Sequence, residues 1–253
     1  MSRMTSRTLT LEPAEFVGVT LVGGGPGDRE LITVAGIRAL LGAEVVVTDR
    51  LAPRDLLAEL APDVELIDVA KLPRGRSARQ EDINDVLIDR AKNGKSVVRL
   101  KGGDNYVFGR GFEEVLALQE AGVPIRVIPG LSSSLAVPAL AGLPVTHRGV
   151  VHDFVVASGH LPPGHSDSLV NWDALAASSG SLVLLMAVEN AAAIARTLLA
   201  GGRPCDQPVA VVVDGSLPTQ RVVRTTLERL SGAIEVEDIR PPAVIVIGDV
   251  AAL

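Results

Sequence analysis

The chain has 253 residues, enough for one large domain or two of ordinary size, and its hydrophobic fraction of 47% suffices for a substantial core. Because aromatic residues make up only 2%, that core must consist mainly of Val, Leu, Ile and Ala, which suit buried parallel strands covered by helices. The net charge of −6 argues against nonspecific nucleic-acid binding, the single cysteine excludes an intrachain disulfide, and no apolar run approaches the roughly 20 residues needed to span a bilayer.

Apolar, β-branched runs alternate with helical patterns through the first half of the chain. The predicted strands are FVGVTLV (16–22), EVVVTD (44–49), DVELIDVA (63–70), SVVRL (96–100) and IRVI (125–128). The predicted helices are ELITVAGIRALLGA (30–43), PRDLLAEL (53–60), QEDINDVLIDRAKNG (80–94), which closes at Asn93-Gly94, and GFEEVLALQEAG (111–122). This alternation predicts a parallel sheet with crossover helices. The preceding residues, MSRMTSRTLTLEPAE, lack the apolar segment of a secretory signal, so we expect a loose tail on a cytoplasmic protein.

The second half of the chain does not show this regular alternation of predicted strands and helices. The small-residue segment LSSSLAVPALAGLPVTHRG (131–149) interrupts the alternation, and we predict two α/β domains, 16–141 and 142–253. Strands are predicted at HDFVVAS (152–158), SLVLLMAV (181–188), PVAVVVD (208–214), QRVVRTTL (220–227) and AVIVIGDV (243–250), with one long helix at NAAAIARTLLAGG (190–202). Consecutive strands without an intervening helix pair antiparallel, so the second sheet should be mixed.

The glycine-rich segment LVGGGPGDRELIT (21–33) has the outline of a dinucleotide-binding turn. It matches that fingerprint poorly, because no glycine lies inside the first helical turn and Pro26 removes an amide donor. A tight strand-to-helix turn would by itself explain these glycines. However, RLKGGDNYVFGRGFEE (99–114), VTDR (47–50) and PGLSSS (129–134) also follow predicted strands. Ligands bind at the carboxyl ends of parallel strands, so the four segments together predict a site at that edge.

Long, correctly ordered strings connect the chain to a known family. They include VGGGPGDRELIT, VVVTDRLAP, AKLPRGRS, VVRLKGGDNYVFGRGFEE, GLPVTHRG and PPAVIVIGDV. Over about residues 19–253 they resemble the uroporphyrinogen-III C-methyltransferases, within the tetrapyrrole methylase superfamily. The chain departs from the family at Thr48, where tyrosine is common, at Asn105-Tyr106, where proline-phenylalanine is common, and at LSSS, which replaces a threonine-alanine turn. These departures bear on substrate affinity and rate more than on reaction class.

The resemblance implies a two-domain methylase with S-adenosylmethionine in the cleft between the domains, bordered by the glycine-proline turn. It implies a cytoplasmic homodimer without a metal, which methylates two pyrrole carbons (positions 2 and 7) of uroporphyrinogen III to precorrin-2 via precorrin-1, towards sirohaem and cobalamin. We expect only these methylation steps, because the dehydrogenase and chelatase module fused to some relatives has no room in this chain. Two alternatives are a methyltransferase of a later precorrin or corrin intermediate and an NAD- or nucleotide-binding α/β module.

The resemblance also implies which residues contact the cofactor. They are Pro26, Gly102, Gly103, Asp104, Val107, Ser132, Ser133, Met186 and Gly215. Asp104 suits a cationic ligand, although a solvated turn aspartate is the alternative. Ser132 and Ser133 open a helix, where their hydroxyls either cap it or bind a ligand. Met186 lies in an apolar run and, without the resemblance, would be assigned to the core.

The predicted substrate carries eight carboxylates and therefore requires Arg and Lys side chains. The resemblance implies that Asp49 is a proton acceptor and that Lys71 is a proton donor. The alternative for Asp49 is an ion pair with Arg50 at the surface. Arg110 is the third catalytic candidate, in an electrostatic role, because arginine stays protonated. The predicted substrate-binding residues are Arg50, Arg74, Arg76, Arg110, Glu114, Arg148 and Met186. The alternative for the cations of KLPRGRSAR (71–79) is that they are solvated surface charges. Glu113 and Glu114 either orient Arg110 or favour the start of their helix.

Overall fold

Parallel strands separated by helices build the first half of the protein, as predicted. In the computed structural model, which describes residues 11–69 and 79–253, five parallel strands are ordered β3-β2-β4-β1-β5. These strands are β1 (Gly18–Gly23), β2 (Val45–Thr48), β3 (Glu65–Asp68), β4 (Ser96–Lys101) and β5 (Ile125–Ile128). The helices are α1 (Val34–Leu41), α2 (Arg54–Leu57), α3 (Gln80–Lys92) and α4 (Gly111–Glu120).

The first sheet is covered on both faces. Val19, Val45 and Val97 point towards a core with α3 and α4, whereas Val46 and Val98 point towards a second core with α1 and α2. This three-layer arrangement explains why the strands are apolar on both faces instead of alternating with polar residues.

Local sequence signals set the ends of two helices. The helix α1 begins only at Val34, later than predicted, because the Thr33 side chain caps it by accepting a hydrogen bond from the Gly36 amide at 3.1 Å. A 3₁₀ turn at Arg29–Leu31 precedes it. The helix α3 ends at Asn93-Gly94 as predicted, with Gly94 at φ 78°, a left-handed conformation that glycine adopts without strain.

The second half forms a mixed sheet ordered β6-β7-β10-β8-β9, in which only the β6–β7 pair is parallel. The strands are β6 (Phe154–Ser158), β7 (Ser181–Leu185), β8 (Pro208–Val213), β9 (Arg221–Thr226) and β10 (Ala243–Ile247). The helices are α5 (Ser133–Leu140), α6 (Trp172–Ala177), α7 (Ala191–Ala200) and α8 (Leu230–Val236). The mixed sheet and the long helix α7 confirm the prediction, whereas the short helices α6 and α8 were not predicted.

The chain divides into two compact units. The first comprises Met1–Gly25 and Arg29–Leu131, and the second comprises Pro26–Asp28 and Ser132–Leu253. The predicted division after residue 141 therefore lies beyond α5, which belongs to the second unit because Val137 packs into that unit's core with Val183 and Val244. Within the described residues, no helix is both long enough and apolar enough to cross a membrane.

Candidate functional site

The carboxyl edge of the first sheet gathers the segments that the sequence singled out. Because all five strands run in the same direction, the loops after β1, β2, β4 and β5 emerge at one edge. The predicted clustering of the glycine-rich loop, VTDR, the Gly102 loop and the PGLSSS turn is therefore confirmed within the first unit, up to Leu131.

Glycines allow these loops to pack backbone against backbone. Gly25 and Gly103 exchange two hydrogen bonds, with N···O distances of 3.1 and 2.6 Å. A Cβ atom on Gly130 would lie 2.4 Å from the Gly103 carbonyl oxygen and 2.5 Å from that of Gly23. Loop packing thus accounts for the glycines at 23, 103 and 130, and the explanation that they serve only a tight turn is incomplete.

The Asp104 carboxylate joins two of these loops. Its Oδ1 accepts a hydrogen bond from the Tyr106 amide at 2.8 Å, and its Oδ2 accepts one from the Gly130 amide at 3.1 Å. Asp104 is half-buried and is therefore not a freely solvated turn residue. Its neighbour Gly102 lies against the Leu51 backbone, and Val107 is exposed.

Asp49 follows β2 and is held by the turn that it begins. Its Oδ1 accepts hydrogen bonds from the amides of Leu51 and Ala52, at 3.0 and 3.1 Å. Its Oδ2 lies 3.6 Å from Nη2 of Arg99, a side chain that is only 3% exposed. The described ion pair of Asp49 is therefore with buried Arg99 and not with Arg50, which is exposed.

Glu114 lies in the interior of the first unit. Its side chain is 0% exposed, and its Oε1 accepts hydrogen bonds from Arg99 Nε at 3.1 Å and from Lys101 Nζ at 3.0 Å. Glu114 therefore neutralises two buried cations, and it does not orient Arg110. Burial, together with the charge of Arg99, lowers the pKa of Lys101 below its ordinary value, although Glu114 acts in the opposite direction.

Sequence reasoning did not identify Arg99 and Lys101. Both lie in the apolar strand β4, two residues apart, and therefore point to the same face of the sheet, towards α4. Two cations at this spacing in a buried strand were the available signal, since such charges require a buried partner.

Arg110 is an exposed cation of this edge. Its guanidinium donates Nε and Nη2 hydrogen bonds to Glu113, at 2.9 and 2.6 Å, in the fork geometry typical of arginine. This pairing raises the pKa of Arg110, so the side chain stays protonated, as its predicted electrostatic role requires. Of the two acids proposed to orient Arg110, Glu113 is the one that does so.

The remaining cations predicted to bind the substrate or to take part in catalysis are Lys71, Arg74, Arg76 and Arg148. Lys71, Arg74 and Arg76 fall outside the described residues. Arg148 is exposed in a turn closed by a backbone pairing of His147 with Val151, before the start of β6. Its predicted contact with a substrate carboxylate stays a prediction.

The second unit has its own edge of special loops. Since β7 and β8 both run antiparallel to β10, their carboxyl ends, followed by Met186 and Gly215, lie at the same edge. A Cβ atom on Gly215 would lie 2.3 Å from Val137 in α5, so this turn packs directly on the helix. Met186 is 48% exposed, which contradicts its assignment to the core.

The remaining predicted residues of the second unit surround these turns. Ser132 caps α5, because its Oγ accepts a hydrogen bond from the Ser134 amide at 3.3 Å, and Ser133 is the first residue of that helix. Pro26 belongs to a three-residue segment that contacts the Gly215 turn, where the Asp28 amide donates to Ser216 Oγ at 3.0 Å. Pro26, Ser132, Ser133, Met186 and Gly215 are therefore all associated with the second unit.

Backbone strain is concentrated on the same loops. Six non-glycine residues in the described chain have positive φ. Five of them are predicted site residues or lie directly beside one: Phe108 (55°), Arg110 (56°), Met186 (56°), Asp214 (51°) and Ser216 (75°). Left-handed backbone costs about 1–2 kcal/mol per residue and tends to persist at functional sites. The strain thus marks the predicted segments in each unit independently of any resemblance.

The chain matches the model of a known protein family. Among the described residues, no group of His, Cys, Asp or Glu side chains could hold a metal ion. The model of the Tetrapyrrole (Corrin/Porphyrin) Methylases matches residues 18–231. The chain belongs to the tetrapyrrole methylase family. This membership excludes the alternative of an unrelated NAD-binding module.

Individual members of the tetrapyrrole methylase family resemble the chain over almost its whole length. The uroporphyrinogen-III C-methyltransferase of Methanocaldococcus jannaschii is 45% identical over 233 residues, covering 92% of this chain and 96% of that protein. A uroporphyrin-III C-methyltransferase from Thermus thermophilus, solved in complex with S-adenosylhomocysteine, is 41% identical, with a TM-score of 0.79 over 93% of this chain and 99% of that one. A cobalt precorrin-4 methyltransferase has a TM-score of 0.82 at 28% identity, over 92% and 95% of the two chains.

Proposed function

We propose that this protein transfers methyl groups from S-adenosylmethionine to two pyrrole carbons of uroporphyrinogen III, giving precorrin-2 via precorrin-1. The observation that carries the proposal is the 45% identity to a uroporphyrinogen-III C-methyltransferase of nearly the same length. The product is an intermediate on the way to sirohaem and cobalamin.

The residues on each edge suit the proposed cofactor. S-adenosylmethionine supplies an electrophilic methyl group on a positively charged sulfur, and its amino-acid end carries an ammonium group. Asp104 offers a fixed carboxylate with lone pairs beyond the two that accept backbone amides, which suits a cation. Gly102 and Gly103 are half-buried and place no side chain beside it, and the exposed side chain of Met186 offers an apolar contact on the second unit.

The chain's own residues have distinct tasks in the proposed reaction. A pyrrole carbon forms the new C–C bond as the C–S bond breaks and its electron pair stays on sulfur. The ring must then lose a proton, and Asp49 Oδ2, which accepts neither of the two turn amides, is the proposed acceptor. The exposed guanidinium of Arg110 would bind a substrate carboxylate and stabilise the methylated ring electrostatically. Lys71, Arg74, Arg76, Arg50 and Arg148 remain proposed contacts to the other carboxylates.

Mass spectrometry of the tetrapyrrole tests the proposal directly. Purified protein is incubated anaerobically with S-adenosylmethionine and uroporphyrinogen III, and the product is expected to gain two methyl groups. Omitting the methyl donor is the control. No gain of mass would contradict the proposed substrate.

A second candidate is methylation of a later precorrin. It is favoured by the TM-score of 0.82 to a cobalt precorrin-4 methyltransferase, although that enzyme is only 28% identical to this chain. The same assay with a later precorrin in place of uroporphyrinogen III distinguishes the two candidate substrates. Only the true substrate is expected to be methylated over repeated turnovers and so to gain mass.

We also propose that the enzyme is a cytoplasmic homodimer. The family resemblance supports the dimer, and the free, exposed thiol of Cys205 is compatible with a reducing compartment. Analytical ultracentrifugation is expected to give twice the chain mass of 26.3 kDa, and a species of single chain mass at micromolar concentration would contradict the dimer.

A further inference from the structure

The first unit contains a charge cluster that the proposed chemistry does not yet use. Glu114 on α4 is bound by Arg99 and Lys101 of β4, and Gln80 Nε2 also approaches its Oε1 at 3.4 Å. The other carboxylate oxygen, Oε2, is buried and has no hydrogen-bond partner among the described residues. All the described donors to Glu114 thus converge on the single oxygen that binds Arg99.

Arg99 is fixed along its whole guanidinium group. Its Nε donates to Glu114, and its Nη1 donates to the carbonyl oxygens of Val47 and Leu100, at 3.4 and 3.1 Å. The remaining nitrogen, Nη2, is directed at Asp49 Oδ2, 3.6 Å away. A buried arginine held in this way presents a stationary positive charge to the one carboxylate at the edge that is proposed to accept a proton.

We infer that Glu114 is a positioning residue, which acts through Arg99 to hold the Asp49 carboxylate correctly aligned for the proposed methyl transfer. The inference rests on the proposed function. Glu114 is fully buried and does not touch the substrate in this arrangement, so it is not a catalytic residue itself, and its predicted role as a direct substrate contact is replaced by an indirect one. Its effect is expected on the rate of turnover and not on cofactor binding.

A purely structural role for Glu114 makes a different prediction. If Glu114 served only to neutralise buried cations, removal of one cation together with the acid would restore the balance of charge and hence turnover. The double variant Glu114→Gln/Lys101→Met makes this change with side chains of similar size. If Glu114 positions Arg99, the double variant regains stability but stays slow, because a glutamine does not hold the guanidinium as a carboxylate does.

The experiment measures kcat, KM for uroporphyrinogen III and the dissociation constant for S-adenosylmethionine. Glu114→Gln, Arg99→Lys and the double variant with Lys101→Met are each expected to lower kcat about tenfold or more, with the other two constants within about twofold of wild type. The matched control is Glu44→Gln, because Glu44 binds Lys95 and the Ser96 amide at the opposite ends of β2 and β4. It makes the same chemical change at a residue that contacts the other end of β4, and it should leave kcat unaltered.

Each outcome decides the inference. A folded Glu114→Gln variant with wild-type kcat, or recovery of kcat in the double variant, would overturn the positioning role while leaving the proposed function intact. If the wild-type protein transfers no methyl group to uroporphyrinogen III, the proposed function fails, and the inference fails with it.

Discussion

Replacing Gly130 by alanine should strongly destabilise the first unit. The added Cβ would lie 2.4 Å from the Gly103 carbonyl oxygen and 2.5 Å from that of Gly23, whereas ordinary van der Waals contact begins at 3.4 Å. Both neighbours are backbone atoms, so no side-chain rotation relieves the overlap. The loops after β1, β4 and β5 would have to separate by about 1 Å.

The size of the effect follows from the bonds that such a separation breaks. The Gly130 amide donates to the Asp104 carboxylate at 3.1 Å, and a hydrogen bond to a charged group contributes about 1.5–3 kcal/mol. Overpacking of a rigid site costs about 1–3 kcal/mol more. Together these terms give a loss of about 2.5–6 kcal/mol, a large part of the net stability of about 5–15 kcal/mol typical of a folded protein.

Urea denaturation followed by far-UV circular dichroism measures this loss. The matched control is Gly232→Ala in α8, where a Cβ would meet nothing within 4 Å and the backbone is not left-handed. Alanine is the better helix former, so this control should be more stable than wild type by about 0.5–1 kcal/mol. If Gly130→Ala unfolded at the same urea concentration as wild type, the backbone packing described for these loops would be incorrect.

Three further predictions concern other parts of the molecule. Gly215→Ala should cost about 1–3 kcal/mol or more in urea denaturation, because the added Cβ would lie 2.3, 2.6 and 2.9 Å from Cγ1, Cγ2 and Cβ of Val137. Val137 is buried and β-branched in a helix, so its rotation does not relieve the overlap. Unfolding at the same urea concentration as wild type would contradict this packing. Arg110→Ala should lower kcat about tenfold or more, while calorimetry should show little change in the affinity for S-adenosylmethionine. The reason is that the Arg110 side chain is exposed and pairs only locally with Glu113. An equal loss of kcat and of cofactor affinity would refute the role assigned to Arg110. Because folding lowers the pKa of Lys101 from its ordinary value of 10.5, the unfolded chain binds that proton more tightly. The stability of wild type relative to Lys101→Met should therefore rise as the pH increases towards 10.5. A stability difference that stayed constant with pH in urea titrations would argue against this.

The fold was largely predictable because its elements obey local rules. Buried parallel strands such as Val45–Thr48 read as continuous β-branched runs, and a helix such as α3 carries acids in its first turn and bases in its last. The two missed helices, α6 and α8, have only six and seven residues, too short for a helical period to stand out. The predicted division after residue 141 differs from the boundary of the compact units after Leu131, because α5 consists of small and apolar residues that carry no local signal of the core they join.

The candidate site was only partly predictable, since partners distant in sequence decide what a side chain does. The loop positions followed from the parallel topology alone, and so the edge was correctly located. The burial of Glu114 did not follow, because its partner Lys101 lies on a different element and nothing local distinguishes Glu114 from Glu113. The left-handed conformations were equally hidden, because Phe, Arg and Met have no preference for them.

Met186 offers a direct test of whether function, and not stability, accounts for a residue of this site. The apolar run SLVLLMAV predicts a strand through residue 188, yet β7 ends at Leu185, and Met186 turns left-handed at φ 56° with its side chain 48% exposed. A left-handed methionine costs about 1–2 kcal/mol. A glycine at this position would relieve that strain but would lose about 0.5–1 kcal/mol through chain entropy. Met186→Gly should therefore leave the free energy of unfolding unchanged or raise it slightly.

The same substitution should lower methyl transfer, because the proposed contacts of Met186 with cofactor and substrate are lost. The matched control is Asp238→Gly, which relieves a left-handed residue (φ 43°) outside the predicted loops and should leave turnover unaltered. Urea denaturation and the mass-spectrometric turnover assay on both variants separate the two effects. If Met186→Gly destabilised the protein by more than about 2 kcal/mol, the side chain would have a packing role that outweighs its strain, and strain at this position would no longer point to function.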